Sequence, residues 1–300
     1  MGKYSMCEVV GPECPVEATI YGYHPNPVVN MIFCIAFGVF CLVQLWQLYK
    51  YKTYSYGIAM ALGCVAETMG YAGRLMLNKN PWDSNGFQIQ ICTLIIAPSF
   101  LSASIYLTLK HICLALGAHL SLLKPMLYTW IFIGFDLLSL FLQGAGGGLA
   151  ATGDTPEAQA LGANIMIAGI VWQVVTLIIF SALAGHFFWS VLEDGGRRMT
   201  IEAQKVWADT KFRTFLISLV IAFVAIFARC IYRIAEMAGG WRNEIMQDQI
   251  SFIIFEGVMC LVAAILLTAF HPGSHFPQMR SDYQAHGEQS SKVEPPAQDA

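Results

Sequence analysis

The sequence predicts an all-α polytopic membrane protein, a bundle of seven transmembrane helices with its N-terminus outside and its C-terminus in the cytosol. Three observations lead there. The 300 residues are 56% hydrophobic and only 12% charged, about half the share of near 25% carried by soluble domains. The apolar residues gather into seven runs, each at least as long as the roughly 20 residues that cross a bilayer. Finally, the basic residues concentrate in alternate connections, the pattern that reports orientation.

In order, the runs cover roughly 28–49, 55–77, 87–115, 126–149, 161–191, 213–238 and 248–270. Residues 1–27 precede them as an extracellular or luminal tail. That tail lacks a basic stretch ahead of an apolar core, so no cleavable signal peptide is expected and the first helix directs insertion. The stretches NKNPWDSNG, GDTPEAQ and EDGGRRMTIEAQKVWADTK interrupt the runs with loop chemistry. Residues 271–300 are polar and contain proline, and read as a disordered cytosolic tail after the membrane domain 28–270.

The connections after helices 1, 3 and 5 and the C-terminal tail hold eleven lysines and arginines: Lys50, Lys52, Lys110, Lys124, Arg197, Arg198, Lys205, Lys211, Arg213, Arg280 and Lys292. The opposite side holds only Lys3, Lys79 and Arg242. This asymmetry places the C-terminus in the cytosol. The net charge of −3 gives no basis for a nucleic-acid partner. Nine cysteines contain no CxxC pair, and those inside apolar runs read as small buried thiols. Cys7 and Cys14 lie in the polar tail and can pair if that tail faces an oxidising compartment.

The remaining arginines, Arg74, Arg229 and Arg233, fall inside helices. At about 100° per residue, Arg229, Tyr232, Arg233 and Glu236 share one face. Helix 2 repeats the offsets with Glu67, Gly70, Tyr71 and Arg74. Helix 4 aligns Asp136, Ser139 and Gln143, and helix 7 places Gln249 and Glu256 seven apart. A charge at mid-membrane costs roughly 2.5–3.5 kcal/mol even on the lenient insertion scale. Glu67, Asp136, Glu236, Glu256 and the three arginines would together cost about 20 kcal/mol unpaired, beyond a usual total stability of roughly 5–15 kcal/mol. They are therefore expected to face inward and neutralise one another. Either they only staple the bundle, or the stripes of helices 2, 4, 6 and 7 line a polar cavity. On the cavity reading, Arg74, Glu236 and Gln249 are candidates to gate, and Glu67, Asp136, Arg229 and Glu256 to hold a headgroup.

Helix 3 adds Ser102 and Tyr106 four apart, and Pro98, which frees a carbonyl and kinks the helix. The glycines of GAGGG in helix 4, with Gly162, Gly169 and Gly185 in helix 5, let backbones approach closely. Gln173 follows Gly169 by four residues on the same face.

These residues resemble the fungal RTA1-like family, the lipid-translocating exporters, along essentially all seven helices. The resemblance rests on Tyr23, Pro25 and Asn30; on Gly63, Glu67, Gly70, Tyr71 and Arg74; and on Ala97, Pro98, Ala103 and Tyr106. It continues through Asp136, Ser139, Gln143 and Gly146, then Gly169 and Gln173, then Arg229, Tyr232, Arg233 and Glu236, and ends with the HPG at 271–273. One departure stands in helix 7, where Gln249 and Glu256 occupy positions that carry Glu and Asp in the family. The resemblance implies a plasma-membrane or vacuolar protein that exports sphingoid long-chain bases or related cationic amphiphiles and gives resistance to toxic lipophiles. Some relatives look like porphyrin or haem transporters. The substrate cavity so implied comprises Glu67, Tyr71, Arg74, Tyr106, Asp136, Gln143, Gln173, Arg229, Tyr232, Arg233, Glu236 and Glu256, with Glu67, Asp136 and Glu256 near the amine.

No cofactor is expected. GGGLAATGD lacks the GK[ST] ending of a phosphate loop, which argues against direct ATP drive. A seven-helix receptor or a regulator of lipid asymmetry is the alternative, with loop 193–212 as a docking point for a cytosolic partner. Helix 7 holds no lysine for a retinal Schiff base. An intramembrane zinc hydrolase would need three converging ligands, but His111, His186, His119 and His24 are scattered. The same scatter argues against bis-histidine haem ligation, leaving His24 or Cys7 as weak points of haem contact.

Overall fold

The computed structural model describes residues 7, 9–153, 155–195, 197, 199–240 and 242–279. Among these no strand forms, and Gly11 and Cys14 make an isolated β-bridge. Helix α1 (Pro27–Tyr51) starts where Asn26 accepts hydrogen bonds from the amides of Val28 and Val29, with Pro27 at the first helical position. Helix α2 spans Tyr54–Lys79, and α3 (Ser84–Leu116) is capped by Asp83 and ends at Gly117, whose φ of 139° suits glycine. Helices α4 (Pro125–Thr152) and α5 (Pro156–Asp194) each begin with proline, and Thr155 caps α5. The short α6 (Ile201–Ala208) and the long α7 (Thr210–Ala238) are capped by Thr200 and Asp209.

One turn, α8 (Glu244–Gln247), leads into the last rod: α9 (Gln249–Ser251), a π-helical stretch Phe252–Val258, and α10 (Met259–Ala269). Asp248 caps this rod. Its carboxylate accepts from the Ile250 amide and, at 2.5 Å, from the Ser251 hydroxyl, and both hold its pKa below the ordinary value. A final turn, α11 (Pro272–His275), follows.

Among the described residues, six helices are long and apolar enough to cross a membrane: α1, α3, α4, α5, α7 and the rod that begins at Gln249. The chain is an integral membrane protein. Helix α2 matches α1 in length, at 26 against 25 residues, but is not apolar enough to join the six. Its Glu67, Arg74, Lys79 and glycines explain this, and its buried face explains how the bundle tolerates them. Apolar content is demanded of a face in contact with lipid, not of one packed on protein.

Consecutive long helices pack as neighbours, and the rod closes the ring by contacting both α7 and α1. Helix α3 also touches α5, α7 and α10. Its most apolar stretch is 61% buried, against 22% for α1 and α4. That makes α3 the central element. The outward faces are oily, with Leu42 and Trp46 on α1, Trp130 and Phe141 on α4, and Ile217 and Val224 on α7 all exposed.

Close approach is built from glycine at the α4–α5 contact. A Cβ on Gly162 would stand 2.7 Å from the Gly146 carbonyl oxygen, and one on Gly146 would stand 2.5 Å from the Met166 amide. Gly185, expected to share this role, faces open space.

One end of the bundle gathers the N-terminal segment, the α2–α3 connection and the α7–α8 connection. The Trp82 indole donates to the Cys14 carbonyl, Asn78 donates to the Pro25 carbonyl, and Arg242 donates to the Glu17 carbonyl. Cys7 and Cys14 form a disulfide there. The opposite end joins the α1–α2 connection to the start of the C-terminal segment, where the Tyr51 and His271 rings stack at 5.2 Å.

Two expectations change here. Residues 271–279 are not a disordered tail: α11 and a 3-10 turn, Pro277–Met279, fold back so that Phe276 and Met279 enter the core. Residues 280–300 lie outside those described. Within loop 193–212, α6 gives helical order and buries Ala203.

Candidate functional site: a buried polar seam

The site begins with a backbone atom. Pro98 has no amide to offer the carbonyl four residues earlier, so the Leu94 oxygen in α3 lacks its helical donor. The Arg229 guanidinium from α7 donates to that oxygen. The same Nη2 donates to Glu256 Oε1 at 2.5 Å, so one cation ties α3, α7 and the π-helical stretch. One turn along α7, Arg233 pairs with Glu236 on its own helix. The Asn243 amide holds the Glu236 carbonyl at 2.5 Å and so ends α7. All seven helical charges named from the sequence are no more than 3% exposed.

The other three charges have no counter-ion in contact among the described residues. Arg74 donates through Nη2 to the Tyr23 hydroxyl at 2.9 Å. Its guanidinium lies 3.7 Å from the Phe252 ring centre and 5.2 Å from that of Tyr21, a cation–π environment. Its Nε and Nη1 have no acceptor. Glu67 lies beside the Cys260 thiol and within electrostatic reach of Glu256 and Arg229, yet neither carboxylate oxygen accepts a hydrogen bond of normal geometry. Asp136 accepts from the Ser102 hydroxyl at 3.0 Å through one oxygen only, with Tyr106 adjacent.

Tyr71 stacks on Phe37 at 5.8 Å, and its hydroxyl is buried without a partner. The same holds for Tyr232, stacked on Phe255 at 5.2 Å. Each unmade buried hydrogen bond costs about 1–3 kcal/mol, so this seam is held at the expense of stability.

A second polar set crosses α3, α4 and α5. Gln143 donates to the Ser139 hydroxyl at 2.6 Å and to Gln173 Oε1 at 3.3 Å. Gln173 donates to the Ser99 hydroxyl at 2.9 Å, and Ser139 donates to the Gly169 carbonyl at 2.7 Å. These partners are satisfied in a way the α2 charges are not, which suits a staple. The twelve expected site residues therefore divide. Glu67, Tyr71, Arg74, Arg229, Tyr232, Arg233, Glu236 and Glu256 belong to the seam between α2, α7 and the rod. Tyr106, Asp136, Gln143 and Gln173 belong to the α3–α4–α5 contact. Gln249 is half-buried at the start of the rod.

A family model described as RTA1 like protein matches residues 60–279. The chain belongs to the RTA1-like family. It is 30% identical over 283 residues to the sphingoid long-chain base transporter RSB1 of Saccharomyces cerevisiae, covering 85% of this chain and 74% of that protein. It is 30% identical over 227 residues to Protein RTM1 of the same yeast, covering 75% and 69%. It is also 26% identical over 218 residues to the yeast protoporphyrin uptake protein 1, covering 71% and 67%. No solved structure matches.

In this RTA1-like chain, several seam residues escaped the sequence reading. Phe252 beneath Arg74 and Cys260 beside Glu67 lie four residues on either side of Glu256, but neither is a polar residue that marks a stripe. Tyr21 and Gln90 also went unread: Gln90 donates to the Tyr21 hydroxyl at 2.6 Å. Burial pushes the pKa of that hydroxyl above the ordinary tyrosine range, against the pull of Arg74, so it stays protonated. One signal was available. The residue four before an intrahelical proline always has a carbonyl to give, which pointed to Leu94.

Proposed function

We propose that this RTA1-like protein moves a cationic amphiphile, a sphingoid long-chain base above all, across the bilayer and thereby gives resistance to toxic lipophiles. The observation that carries this reading is Glu67. Its carboxylate is fully buried at mid-helix and neither oxygen accepts a hydrogen bond of normal geometry, while Arg229 and Arg233 are each paired with another carboxylate. An incoming ammonium supplies the missing positive charge, and the alkyl chain stays among apolar side chains. The relative named as a sphingoid long-chain base transporter supports the substrate class. Movement runs down a gradient or is coupled to protons carried by Glu67 and Asp136, and the protein is a transporter, not an enzyme.

The reading includes seven traversals, with α2 the seventh, the N-terminus outside and the C-terminus in the cytosol of the plasma membrane. The vacuolar membrane is the alternative. Contacts of the N-terminal segment with the α2–α3 connection support α2 crossing, since an α2 that did not cross would leave them on opposite sides. The basic residues of the opposite connections support the orientation. A second reading, an anionic porphyrin as cargo, draws on the protoporphyrin uptake relative and on the unused donors of Arg74.

Glu67→Gln tests the proposal. It removes the charge, keeps the shape and breaks no ion pair, so surface expression is expected to hold while resistance to added phytosphingosine is lost. Resistance equal to wild type would overturn the assignment. Movement of labelled sphingoid base into liposomes holding the purified protein, with and without a pH gradient, reads the coupling.

A further inference from the structure

Helix α2 turns three successive polar side chains toward the rod. Glu67, Tyr71 and Arg74 follow one another at spacings of four and three, so they lie on one face. None has any exposed surface. Each retains unused hydrogen-bonding capacity: both oxygens of Glu67, the hydroxyl of Tyr71, and Nε and Nη1 of Arg74. Buried polar atoms are normally paired, and five orphans in a single row of acceptor, hydroxyl and donor need a reason. The neighbouring charges are engaged with one another, Arg229 with Glu256 and Arg233 with Glu236, and although Arg229 Nε, Arg233 Nε and Glu256 Oε2 are also unpartnered, none of them bonds to the row. Glu67 and Arg74 are opposite in sign and set roughly 10.5 Å apart along the helix axis, from seven steps of about 1.5 Å. Too far apart to join each other, they are complementary to a ligand that carries both charges.

We infer that Glu67, Tyr71 and Arg74 form one headgroup site for a zwitterionic amphiphile. Its ammonium lies at Glu67, its anionic oxygens, of phosphate or carboxylate, lie at Arg74, and the Tyr71 hydroxyl bonds between them. This rests on the transport reading above and narrows its substrate. The rings of Phe252, Tyr21 and Tyr23 surround the guanidinium and keep water from competing. Phe33 and Phe37 of α1 pack over Tyr71, so a ligand arriving from the lipid parts α1 from α2 to reach the row. Asp136, on α4 beside Ser102, lies outside it.

The test uses the full chain in lipid nanodiscs and competition against a fluorescent sphingoid base. The competitors are phytosphingosine, phytosphingosine 1-phosphate and 2-aminohexadecanoic acid, so the phosphate and carboxylate arms are read separately. At least one zwitterion is expected to bind tenfold or more tightly than the simple base. Arg74→Gln erases that preference, and Glu67→Gln weakens all three. Tyr23→Phe, which removes the acceptor held by Arg74 and keeps the ring, raises the zwitterion preference and serves if Arg74→Gln fails to fold. Equal affinity of wild type for base and zwitterions, or a preference unmoved by Arg74→Gln or Tyr23→Phe, overturns the inference while leaving base transport intact. Failure of the fluorescent base to bind wild type would instead strike the transport reading itself.

Discussion

Arg229 reaches across the bundle to the carbonyl of Leu94, the oxygen that Pro98 leaves without a helical donor. A defect in one helix becomes the acceptor for a cation on another. The arrangement needs a buried proline, an arginine at the right depth and Glu256 to balance its charge.

Pro98→Ala restores an amide that competes for the Leu94 oxygen. Arg229 then loses a hydrogen bond of the charged class, worth about 1.5–3 kcal/mol, while the helix gains one of its own. Thermal stability is expected to change little, while base movement into liposomes falls several-fold. Unchanged movement would show that the link only holds the helices together.

Breaking the Arg229–Glu256 pair from one side leaves a buried charge unbalanced. Arg229→Met is expected to cost about 3–5 kcal/mol, and the double change with Glu256→Leu to recover most of it. Melting of the detergent-solubilised protein measures both. Base movement is expected to stay lost in the double variant, which separates stability from function.

The α4–α5 contact depends on missing side chains. Gly162→Leu drives a Cβ to 2.7 Å from the Gly146 carbonyl oxygen, and overpacking of this kind costs at least about 1–3 kcal/mol. Gly185→Leu enters open space. Size-exclusion profiles of fluorescent fusions should show the first variant aggregated and the second monodisperse.

Topology is read chemically. An N-glycosylation acceptor placed in the connection between α2 and α3 is expected to be modified, and one between α3 and α4 to stay bare. On intact cells, an impermeant maleimide should label Cys7 and Cys14 only after reduction of their disulfide. Modification at the second position and not the first would reverse the orientation.

Boundaries show where sequence periodicity fails. The apolar run beginning near 161 becomes a helix starting at Pro156, because Thr155 caps it and Glu157 suits its first turn. Polar residues can be helical, so an apolar criterion starts late. The π-helical turn around Glu256 has no signature at all, since a shift in hydrogen-bond offset changes no residue type. The run at 55–77 predicts a span for α2, and the neighbours that cover its buried face account for its polarity.

Composition and spacing alone decided that this chain is helical, that it lives in a membrane and that its intrahelical charges must turn inward. Those conclusions follow from the cost of a charge in hydrocarbon, which each helix incurs independently of its neighbours. Which charges meet was settled by packing: Arg229 with Glu256 and Leu94, Arg233 with Glu236, and Glu67 and Arg74 with no ion partner among the described residues. Pairing depends on helix rotation and depth to within about an ångström, quantities set by side chains such as Phe252 and glycines such as Gly162 that fill or vacate the contacts between helices.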